Sequence, residues 1–245
     1  MDEVESLERA TLAAVPPQQV VALNGWLAAV DDGTVGRAHS AAPTRHERID
    51  AQCVQALLDC YAAHGRPAVF RIPQAGAFDQ VRQQLSAAGF SPLQPTLTMT
   101  GDAGLPDAGP RARWEVRLAD TPGEAFASVF LGEGFNPVDA ASRLAILRRA
   151  RHSVFACAVA EGQVVAVGSG CYAEGWCGFH AMRTLPAWRG RGLAWAILAA
   201  LGREANRRGI ARAFLQVKQA NAGAQRLYRR AGLRAAWCYE YWRRR

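Results

Sequence analysis

The sequence predicts an α/β protein with two tandem domains, each containing a mixed β-sheet covered by helices on both faces. Three observations lead to this prediction. Strand-like and helix-like segments alternate through residues 112–245. A helix–strand–helix–strand pattern that ends near residue 100 recurs at the end of the chain. Between the two copies, residues 101–110 are rich in turn-forming glycine, proline and aspartate. We therefore predict a first domain at 1–105, a linker at 106–111 and a second domain at 112–245.

The internal repeat is carried by residues that match in type at a shift of 143–144 positions: Gly65 with Gly209, Phe70 with Phe214, and Gly89 with Gly232. In the first copy, a helix-like stretch at 77–88 leads to a strand at 96–100. In the second copy, a helix at 222–231 leads to a strand at 238–242. Such self-similarity indicates duplication of one α/β unit, and an unrelated α/β cap in the first half is the alternative.

The second domain contains the more complete set of predicted elements. Apolar residues at helical spacing predict helices, and short runs of valine, alanine and aromatic residues bounded by glycine predict strands. The predicted strands span 114–118, 153–160, 163–172, 176–184 and 212–217, and the predicted helices span 123–131, 140–151, 195–208 and 221–231. A turn at 132–137 separates the first two of these helices. This order of elements predicts a mixed sheet.

A glycine-rich turn connects the strand that ends near Leu185 to the helix at 195–208. Its sequence is Arg189-Gly190-Arg191-Gly192-Leu193-Ala194. In such a turn, successive backbone N–H groups and the helix N-terminus behind them form a concave set of donors suited to a pyrophosphate. Glycine at positions 190 and 192 lets the backbone approach the anion without a Cβ in the way. Ordinary packing at a helix start is the alternative reason for this turn.

A second pattern begins about 30 residues later, at the start of the last predicted helix. Asn221 suits a helix N-cap, and Ala224, Leu227 and Tyr228 follow at the spacing of one helical face. Gly232 follows the helix, so that the segment reads N-x-x-A-x-x-L-Y-x-x-x-G-L. The two patterns occur in this order within the second domain.

The first copy lacks both patterns. At the repeat shift, Gly192 corresponds to Arg48 or Ile49, and the region that matches Tyr228 contains no tyrosine. A long or branched side chain in the turn would block the approach of an anion to the backbone. We therefore expect the first domain to be a degenerate copy that no longer binds a ligand and packs against the second domain.

Together, the R-x-x-G-x-A turn and the N-x-x-A-x-x-L-Y-x-x-x-G-L run resemble the GNAT superfamily of acetyl-CoA-dependent N-acetyltransferases. The resemblance is strong over residues 112–245 and weaker before them. It implies two GNAT-like domains in tandem, acetyl-CoA as co-substrate and no metal. The residues that it implies for acetyl-CoA binding are Met182, Arg183, Thr184, Arg189, Gly190, Arg191, Gly192, Leu193, Ala194, Asn221, Ala224 and Tyr228.

Tyr228 is the residue that the resemblance assigns to the leaving group. A phenol with a pKa of about 10 can protonate a departing thiolate, because negative charge develops beside it during the reaction. Asn221 resembles the family asparagine that contacts the cofactor, and it can serve as an N-cap at the same time. The alternative for Tyr228 is a core tyrosine on an amphipathic helix.

The general base is less clear from the sequence. In one branch of the superfamily, which acetylates ribosomal proteins, a glutamate lies five residues before the motif asparagine, but Gln216 stands there in this chain and cannot accept a proton. His180 resembles a histidine of the arylalkylamine acetyltransferases. Strand alternation would put residues 180, 182 and 184 on one face, toward the thioester. Glu133, an ordered water molecule and the absence of a dedicated base are the alternatives, and His180 would then have a structural role.

Composition bears on the kind of binding partner, the state of the cysteines and the presence of a membrane span. The formal net charge is +8, and residues 181–245 contain 15 of the 29 basic residues but only two acidic ones. This basic surface suits the phosphates of coenzyme A, and no recognised nucleic-acid-binding motif accompanies it. The six cysteines lack metal-ligand or disulfide spacing, which favours free thiols in a reducing cytoplasm. No run of 18 apolar residues or secretory signal is present, so we expect no membrane span.

From the resemblance we expect an N-acetyltransferase that moves an acetyl group from acetyl-CoA to a primary amine by direct transfer in a ternary complex. None of the six cysteines lies in a recognisable nucleophile setting, which favours this route. We expect the first domain to wall off the acceptor site, and therefore expect a small-molecule acceptor. A homodimer is compatible with the resemblance. The alternative function is a non-catalytic acyl-CoA sensor or partner-binding protein.

Overall fold

The computed structural model describes residues 2–47, 49–50, 52–105, 114–132 and 136–244. The predicted linker at 106–111 lies outside these ranges. The helices are α1 (Glu3–Ala14), α2 (Cys53–Ala63), α3 (Asp79–Ala87), α4 (Glu124–Phe130), α5 (Pro137–Arg149), α6 (Leu193–Arg207) and α7 (Ala222–Arg230). Short 3-10 helices occur at Gly36–His39, Gly76–Phe78 and Pro186–Trp188.

The strands of the described residues form one mixed sheet. They are β1 (Gln19–Leu23), β2 (Trp26–Val30), β3 (Ala41–Pro43), β4 (Phe70–Pro73), β5 (Phe90–Asp102), β6 (Glu115–Ala119), β7 (Ser153–Ala160), β8 (Gln163–Ala173), β9 (Trp176–Thr184), β10 (Arg212–Lys218) and β11 (Arg234–Arg244). Their order across the sheet is β1-β2-β3-β4-β11-β5-β10-β9-β8-β7-β6. The mixed α/β fold class predicted from the sequence is confirmed.

The last strands of the two halves are exchanged. β5, which ends the first half, pairs antiparallel with β10 of the second half, and β11, which ends the chain, pairs antiparallel with β4 of the first half. At the centre of the sheet, β5 and β11 pair antiparallel with each other, and Arg234 lies opposite Thr100 while Arg244 lies opposite Phe90. The shift of the internal repeat takes Phe90 to Arg234 and Thr100 to Arg244, so it converts each of these pairs into the other. Strands β5 and β11 are therefore related by an approximate two-fold axis. Each half therefore completes the sheet of the other.

The glycines of the internal repeat occupy equivalent positions in the two halves. Gly65 and Gly209 follow the ends of α2 and α6, with φ of 64° and 69°. Gly89 and Gly232 follow α3 and α7, with φ of 81° and 92°. A residue with positive φ commonly ends a helix, and glycine takes that conformation without steric cost. These local requirements explain why the same residue type recurs at the repeat spacing.

Two helical layers cover the half of the sheet formed by β6–β10. Helices α6 and α7 pack on one face, in a core that includes Leu198, Leu215 and Tyr228. Helices α4 and α5 pack on the other face against Phe155 and Val167. Helix α1 of the first half lies on this same face, over β8 and β9. The first half therefore contributes directly to the face of the second half on which α4 and α5 lie.

Helix α1 is fixed to this face by apolar and polar contacts. Leu7 and Ala10 pack against Trp176 and Phe214. The indole Nε1 of Trp176 donates a hydrogen bond of 3.0 Å to the hydroxyl of Ser6. These contacts bury Trp176 in the core, where its large apolar surface stabilises the association of the two halves.

The predicted elements of the second half agree with the observed ones to within a few residues. The largest difference is at β11, which was expected at 238–242 and spans Arg234–Arg244, and the next is at α5, which was expected at 140–151 and spans Pro137–Arg149. Asn136 caps this helix, because its side-chain oxygen accepts a hydrogen bond of 2.9 Å from the N–H of Val138. Proline at the first helical position needs no N–H partner, which favours a helix start there. In the first half, the sequence predicted neither α1 nor the strands β1–β3.

Candidate active site

A gap opens between β9 and β10 on the side of the sheet where the glycine-rich turn lies. The two strands pair in parallel at only three positions, Arg212–Trp176, Ala213–Cys177 and Phe214–Gly178. Beyond them, β9 continues to Thr184 and β10 to Lys218 without further pairing in the described ladder. The backbone of residues 179–182 therefore has an edge that is free to bind an extended ligand.

The free part of β9 contains a bulge at Ala181. Its φ is 53°, and the register with β8 shifts between the pairs Val167–Arg183 and Ser169–His180. A bulge reverses the side to which the following side chains point. Met182 consequently packs in the core beneath α6, whereas His180 faces Phe214 on the side covered by α1, with 5.5 Å between ring centroids. The expectation that residues 180 and 182 share one face is wrong, because it assumed an unbroken strand.

The glycine-rich turn ends at the N-terminus of α6. Gly190 and Gly192 have φ of 75° and 84°, a region that strongly favours glycine. No side chain caps the helix at Gly192, so the first N–H groups of α6 have no intrahelical partner and no capping side chain. A Cβ at Gly190 would meet no described atom within 4 Å. The backbone conformation therefore explains the glycine at this position.

Basic and aromatic side chains surround this turn. The Nε of Arg189 donates a hydrogen bond of 3.3 Å to the carbonyl of Thr184, at the end of β9. The guanidinium of Arg191 lies 4.7 Å from the ring centroid of Trp188. The indole of Trp114 donates a hydrogen bond of 2.9 Å to the carbonyl of Arg191. These contacts hold the turn from both sides while its two arginines remain exposed.

The side chains of Asn221 and Tyr228 take the positions expected for α7. The Oδ1 of Asn221 accepts a hydrogen bond of 3.1 Å from the N–H of Ala224, so Asn221 is an N-cap. Tyr228 is 8% exposed and packs in the core with α6. Burial raises the pKa of Tyr228 to about 12. Because this pKa lies far above neutral pH, the hydroxyl keeps its proton, and the structure gives it no hydrogen bond to a described residue.

On the opposite face of the sheet, His180 lines a pocket formed by both halves. The second half contributes residues of α4, α5 and β9, and the first half contributes residues that follow α1 and β2. The lining residues are Val15, Val35, Arg37, Phe130, Arg143, Ile146, Leu147, His180 and Ala181. The pocket thus meets β9 at the bulge, next to the free strand edge. Glu133, the alternative base, lies outside the described residues.

His180 is buried and keeps a neutral imidazole at neutral pH. Burial, reinforced by the nearby charge of Arg37, holds the pKa of His180 well below its usual value. Its Nε2 has no hydrogen-bond partner among the described residues. A Cβ at Gly178 would clash with this atom at 2.5 Å, so the glycine makes room for the ring. An unpartnered ring nitrogen in a pocket has an available hydrogen-bonding position for a ligand.

Gln216, the residue at the position of the family glutamate, connects the two halves. Its Oε1 accepts a hydrogen bond of 2.9 Å from Nη1 of Arg37, and its Nε2 donates one of 2.9 Å to the hydroxyl of Thr11. An amide suits this place because it accepts from one partner and donates to the other. The structure therefore gives Gln216 a bridging position beside the pocket.

The sequence-based reasoning missed the pocket residues of the first half. Arg37, Val15 and Val35 belong to no recognisable motif, and they reach the pocket only because the two halves pack together. Local sequence patterns contain no signal for such a contact.

The expectation that the protein binds no metal stays a prediction. The described residues contain no cluster of His, Cys, Asp or Glu that could hold a metal ion. Within the described part of the chain, no helix is both long and apolar enough to cross a membrane.

Comparison with known proteins gives a family and a fold. The family model described as "Probable histone acetyltransferase Rv0428c C-terminal" matches residues 2–242. A GCN5-related N-acetyltransferase from Kribbella flavida superimposes with a TM-score of 0.73 at 17% identity, covering 100% of this chain and 96% of that chain. A functionally unknown conserved protein from Staphylococcus epidermidis gives a TM-score of 0.70 at 10% identity, covering 94% and 95%.

A tandem GNAT protein from the clavulanic acid biosynthesis pathway gives a TM-score of 0.58 at 14% identity, covering 98% of this chain and 94% of that chain. At such identities, the structures establish a shared fold. No curated protein matches the chain. The family assignment therefore comes from the family model, and the solved structures show a shared fold over nearly the whole chain.

Proposed function

The chain belongs to the Rv0428c C-terminal family, and with it to the GNAT superfamily, and from this premise we propose that it is an acetyl-CoA-dependent N-acetyltransferase. The proposed reaction moves an acetyl group to a primary amine within a ternary complex. One observation carries the proposal: the free edge of β9 leads to the glycine-rich turn at one end and borders the pocket of His180 at the other. Donor and acceptor bound in these two places would meet at β9.

In this proposal, acetyl-CoA is held by backbone groups along β9 and α6. The N–H groups of the turn and of the first turn of α6 bind the pyrophosphate, with Arg189 and Arg191 beside it. The same strand binds the pantetheine arm at Met182, Arg183 and Thr184. The start of α7, at Asn221 and Ala224, completes the site. Because these donors are fixed by the fold, they are oriented before charge develops on the reacting oxygen.

The chemistry that we assign to side chains consists of two proton transfers. The amine nitrogen forms a bond to the acetyl carbon while the bond from that carbon to sulfur breaks. The neutral imidazole of His180 takes the proton that the amine loses, with Glu133 or an ordered water molecule as the alternative base. The hydroxyl of Tyr228 donates its proton to the departing thiolate.

The cysteines of the chain support direct transfer rather than a covalent acyl-enzyme. Burial raises the pKa of the Cys171 thiol to about 11 and also raises that of Cys177. Thiols with raised pKa values are poor nucleophiles, because the reactive form is the thiolate. None of the described residues that line the pocket is a cysteine. The amine itself is therefore the nucleophile in our proposal.

The pocket lined by both halves supports a small-molecule acceptor. Residues of the first half, Val15, Val35 and Arg37, form part of its wall, as expected if the first half bounds the acceptor site. The family description names histones, and a lysine of a protein is the competing acceptor class. A peptide tail and small amines offered in the same assay would separate the two.

A non-catalytic acyl-CoA sensor is the second candidate, and two observations favour it. Gln216 replaces the carboxylate that serves as base in one branch of the superfamily, and the low pKa of His180 makes its imidazole a weak base. A sensor would bind acetyl-CoA without transferring its acetyl group to any amine.

Turnover of Tyr228→Phe tests the catalytic proposal. Release of the coenzyme A thiol is followed with a panel of primary amines for the unchanged protein and for this variant. Loss of the general acid is expected to lower kcat by about 100- to 10,000-fold while acetyl-CoA binding persists. Tyr172→Phe is the control, because the hydroxyl of Tyr172 bonds to the carbonyl of Leu201 in the core, where it plays no role in the proposed reaction. Equal turnover of the unchanged protein and Tyr228→Phe would contradict the assignment.

A further inference from the structure

Arg37 differs from the other arginines near the pocket in having no carboxylate partner in the part of the chain that the structure describes. It belongs to the 3-10 helix Gly36–His39 of the first half and reaches across to the second half. Its Nη1 donates a hydrogen bond of 2.9 Å to the neutral side-chain oxygen of Gln216. Its positive charge is therefore hydrogen-bonded but not neutralised.

The neighbouring arginines are neutralised by acids. Arg143, which also lines the pocket, lies 2.7 Å from a carboxylate oxygen of Asp139. Arg149, which follows on the same helix, lies 2.5 Å from Asp31. No carboxylate is present among the described residues that line the pocket. The pocket therefore presents one unneutralised positive charge, at Arg37, to whatever binds there.

The rest of the pocket is mainly apolar. Val15 and Val35 line it from the first half, and Ile146 and Leu147 line it from α5. The one titratable ring among the described lining residues, His180, is neutral at neutral pH for the reasons given above. A ligand that matches this lining has a modest apolar body and a single negative charge. A polyamine or a lysine-rich peptide would place additional positive charge beside Arg37, which is unfavourable because like charges repel at close range.

We propose that the acceptor is an amine that also carries a carboxylate, of the amino-acid class, and that Arg37 binds this carboxylate. The proposal rests on the acetyltransferase function proposed above and specifies the substrate class of the same site. A guanidinium presents a planar pair of N–H donors that matches a carboxylate, and Arg37 keeps further donors after the bond to Gln216. Arg37 is thus a specificity-determining residue that the non-catalytic first half supplies to the second.

The experiment compares matched amines with the full-length protein at saturating acetyl-CoA. Leucine, methionine and phenylalanine are each paired with their carboxamide and their decarboxylated amine, and spermidine is the cationic competitor. Rates are corrected for the fraction of unprotonated amine. A charge-assisted bidentate contact predicts a kcat/KM that is about 10- to 100-fold higher for the carboxylate member of each pair. Most of this preference is expected in KM, because the contact is present before the reaction begins.

Variants of Arg37 identify the source of the preference. In Arg37→Gln, the kcat/KM of the carboxylate member of each pair is expected to exceed that of the other members by no more than a few-fold. Arg37→Lys is expected to retain part of the preference. Arg148→Gln, on the exposed side of α5, removes the same charge from the protein without changing the pocket and should keep the preference. Thermal unfolding of Arg37→Gln shows whether loss of the bond to Gln216 has disturbed the fold.

Two results would overturn the inference while leaving the acetyltransferase function intact. One is faster acetylation of spermidine or the decarboxylated amines than of the amino acids, and the other is an unchanged preference in Arg37→Gln. If no amine is acetylated, the protein loaded with coenzyme A is titrated with N-acetyl-leucine and N-acetyl-leucinamide. Equal affinity for the two overturns the inference on binding alone. Failure of acetyl-CoA to bind is a separate result, and it removes the proposed function itself.

Discussion

The repeated helices end in the same way in both halves of the molecule, at a glycine with positive φ. The turn that precedes the first repeated helix differs between the halves. In the second half, Gly192 precedes α6 with φ of 84°, and no side chain caps the first N–H groups of the helix. In the first half, Gln52 precedes α2 in an ordinary right-handed helical conformation, with φ of −65°. Gly65 and Gly209 nevertheless end the two helices in the same way. The features that build the fold are present in both halves, whereas the features that suit an anion are present in one.

The first half contributes instead to the structure of the second. It supplies β5 to the sheet, α1 to the face of β8 and β9, and Arg37 to the pocket. A duplicated unit can lose ligand binding and still be required, provided that its partner depends on it for packing. The comparison therefore predicts strong dependence of each half on the other, and the following changes test it.

Separating the two halves should have the largest effect. Residues 1–105 expressed alone lack β11, the partner of β4, and residues 112–245 alone lack β5, the partner of β10. Each fragment would expose a long strand edge and the apolar surface next to it. We expect neither fragment to show a cooperative thermal transition by circular dichroism, and we expect the mixed fragments to regain one. A cooperative transition in either fragment alone would contradict the mutual dependence.

Breaking the buried ion pair of α1 should have the next largest effect. Arg71 on β4 lies 2.6 Å from Glu8 on α1, and both side chains are almost fully buried. Removing one partner leaves a buried charge uncompensated, so Glu8→Ala should lower the free energy of unfolding by about 3–5 kcal/mol. This corresponds to a decrease in Tm of roughly 6–20 °C for a chain of this length.

The exposed pair on the same helix provides the control for Glu8→Ala. Arg9 and Glu5 lie 2.8 Å apart with side chains 40% and 29% exposed, so Glu5→Ala should cost less than about 1 kcal/mol. Similar decreases in Tm for the two variants would show that the buried pair does not fasten α1 to the sheet.

Acid should destabilise the protein through one histidine in each half, the half-buried His46 and the buried His180. Burial lowers the pKa of His46 to about 4, and it holds that of His180 well below its usual value. Below pH 6.5 the unfolded chain binds protons at these residues while the folded chain does not. Stability is therefore present above that pH and is lost as the pH falls toward 4.

We expect a loss on the order of 1–3 kcal/mol from His46 between pH 6.5 and 4, measured by urea unfolding. His46 packs edge-on against Trp237 at 4.9 Å between ring centroids, so His46→Phe keeps an aromatic ring and should flatten this part of the profile. His152→Phe is the control, because this histidine is exposed. An unchanged profile in His46→Phe would show that its protonation is not linked to folding.

The sequence predicted most of what depends on local structure. The helices and strands of the second half, the glycine-rich turn and the Asn221 cap follow from residue patterns within a few positions of each other. The exchange of β5 and β11 did not follow from the sequence, because either partner satisfies the same strand pattern. The bulge at Ala181 was also missed, since alanine is not a residue that signals positive φ.

The pocket shows the same limit at the level of single residues. His180 was found because it lies on a strand next to a recognised motif. Arg37 lies far from it along the chain and meets it only through the association of the two halves. Long-range contacts of this kind depend on the whole fold, so a single sequence without the structure contains no direct signal for them.

Thermal unfolding with and without acetyl-CoA tests the difference between the halves most directly. Acetyl-CoA at 100 times its dissociation constant should add about 2.7 kcal/mol, which raises Tm by roughly 5–10 °C. Gly192→Glu should abolish this increase, because it places a negative side chain among the donors of the turn. Gly209→Glu makes the same replacement at a glycine with positive φ that ends α6 and should keep the increase. No increase for the unchanged protein, or equal increases for both variants, would contradict the account.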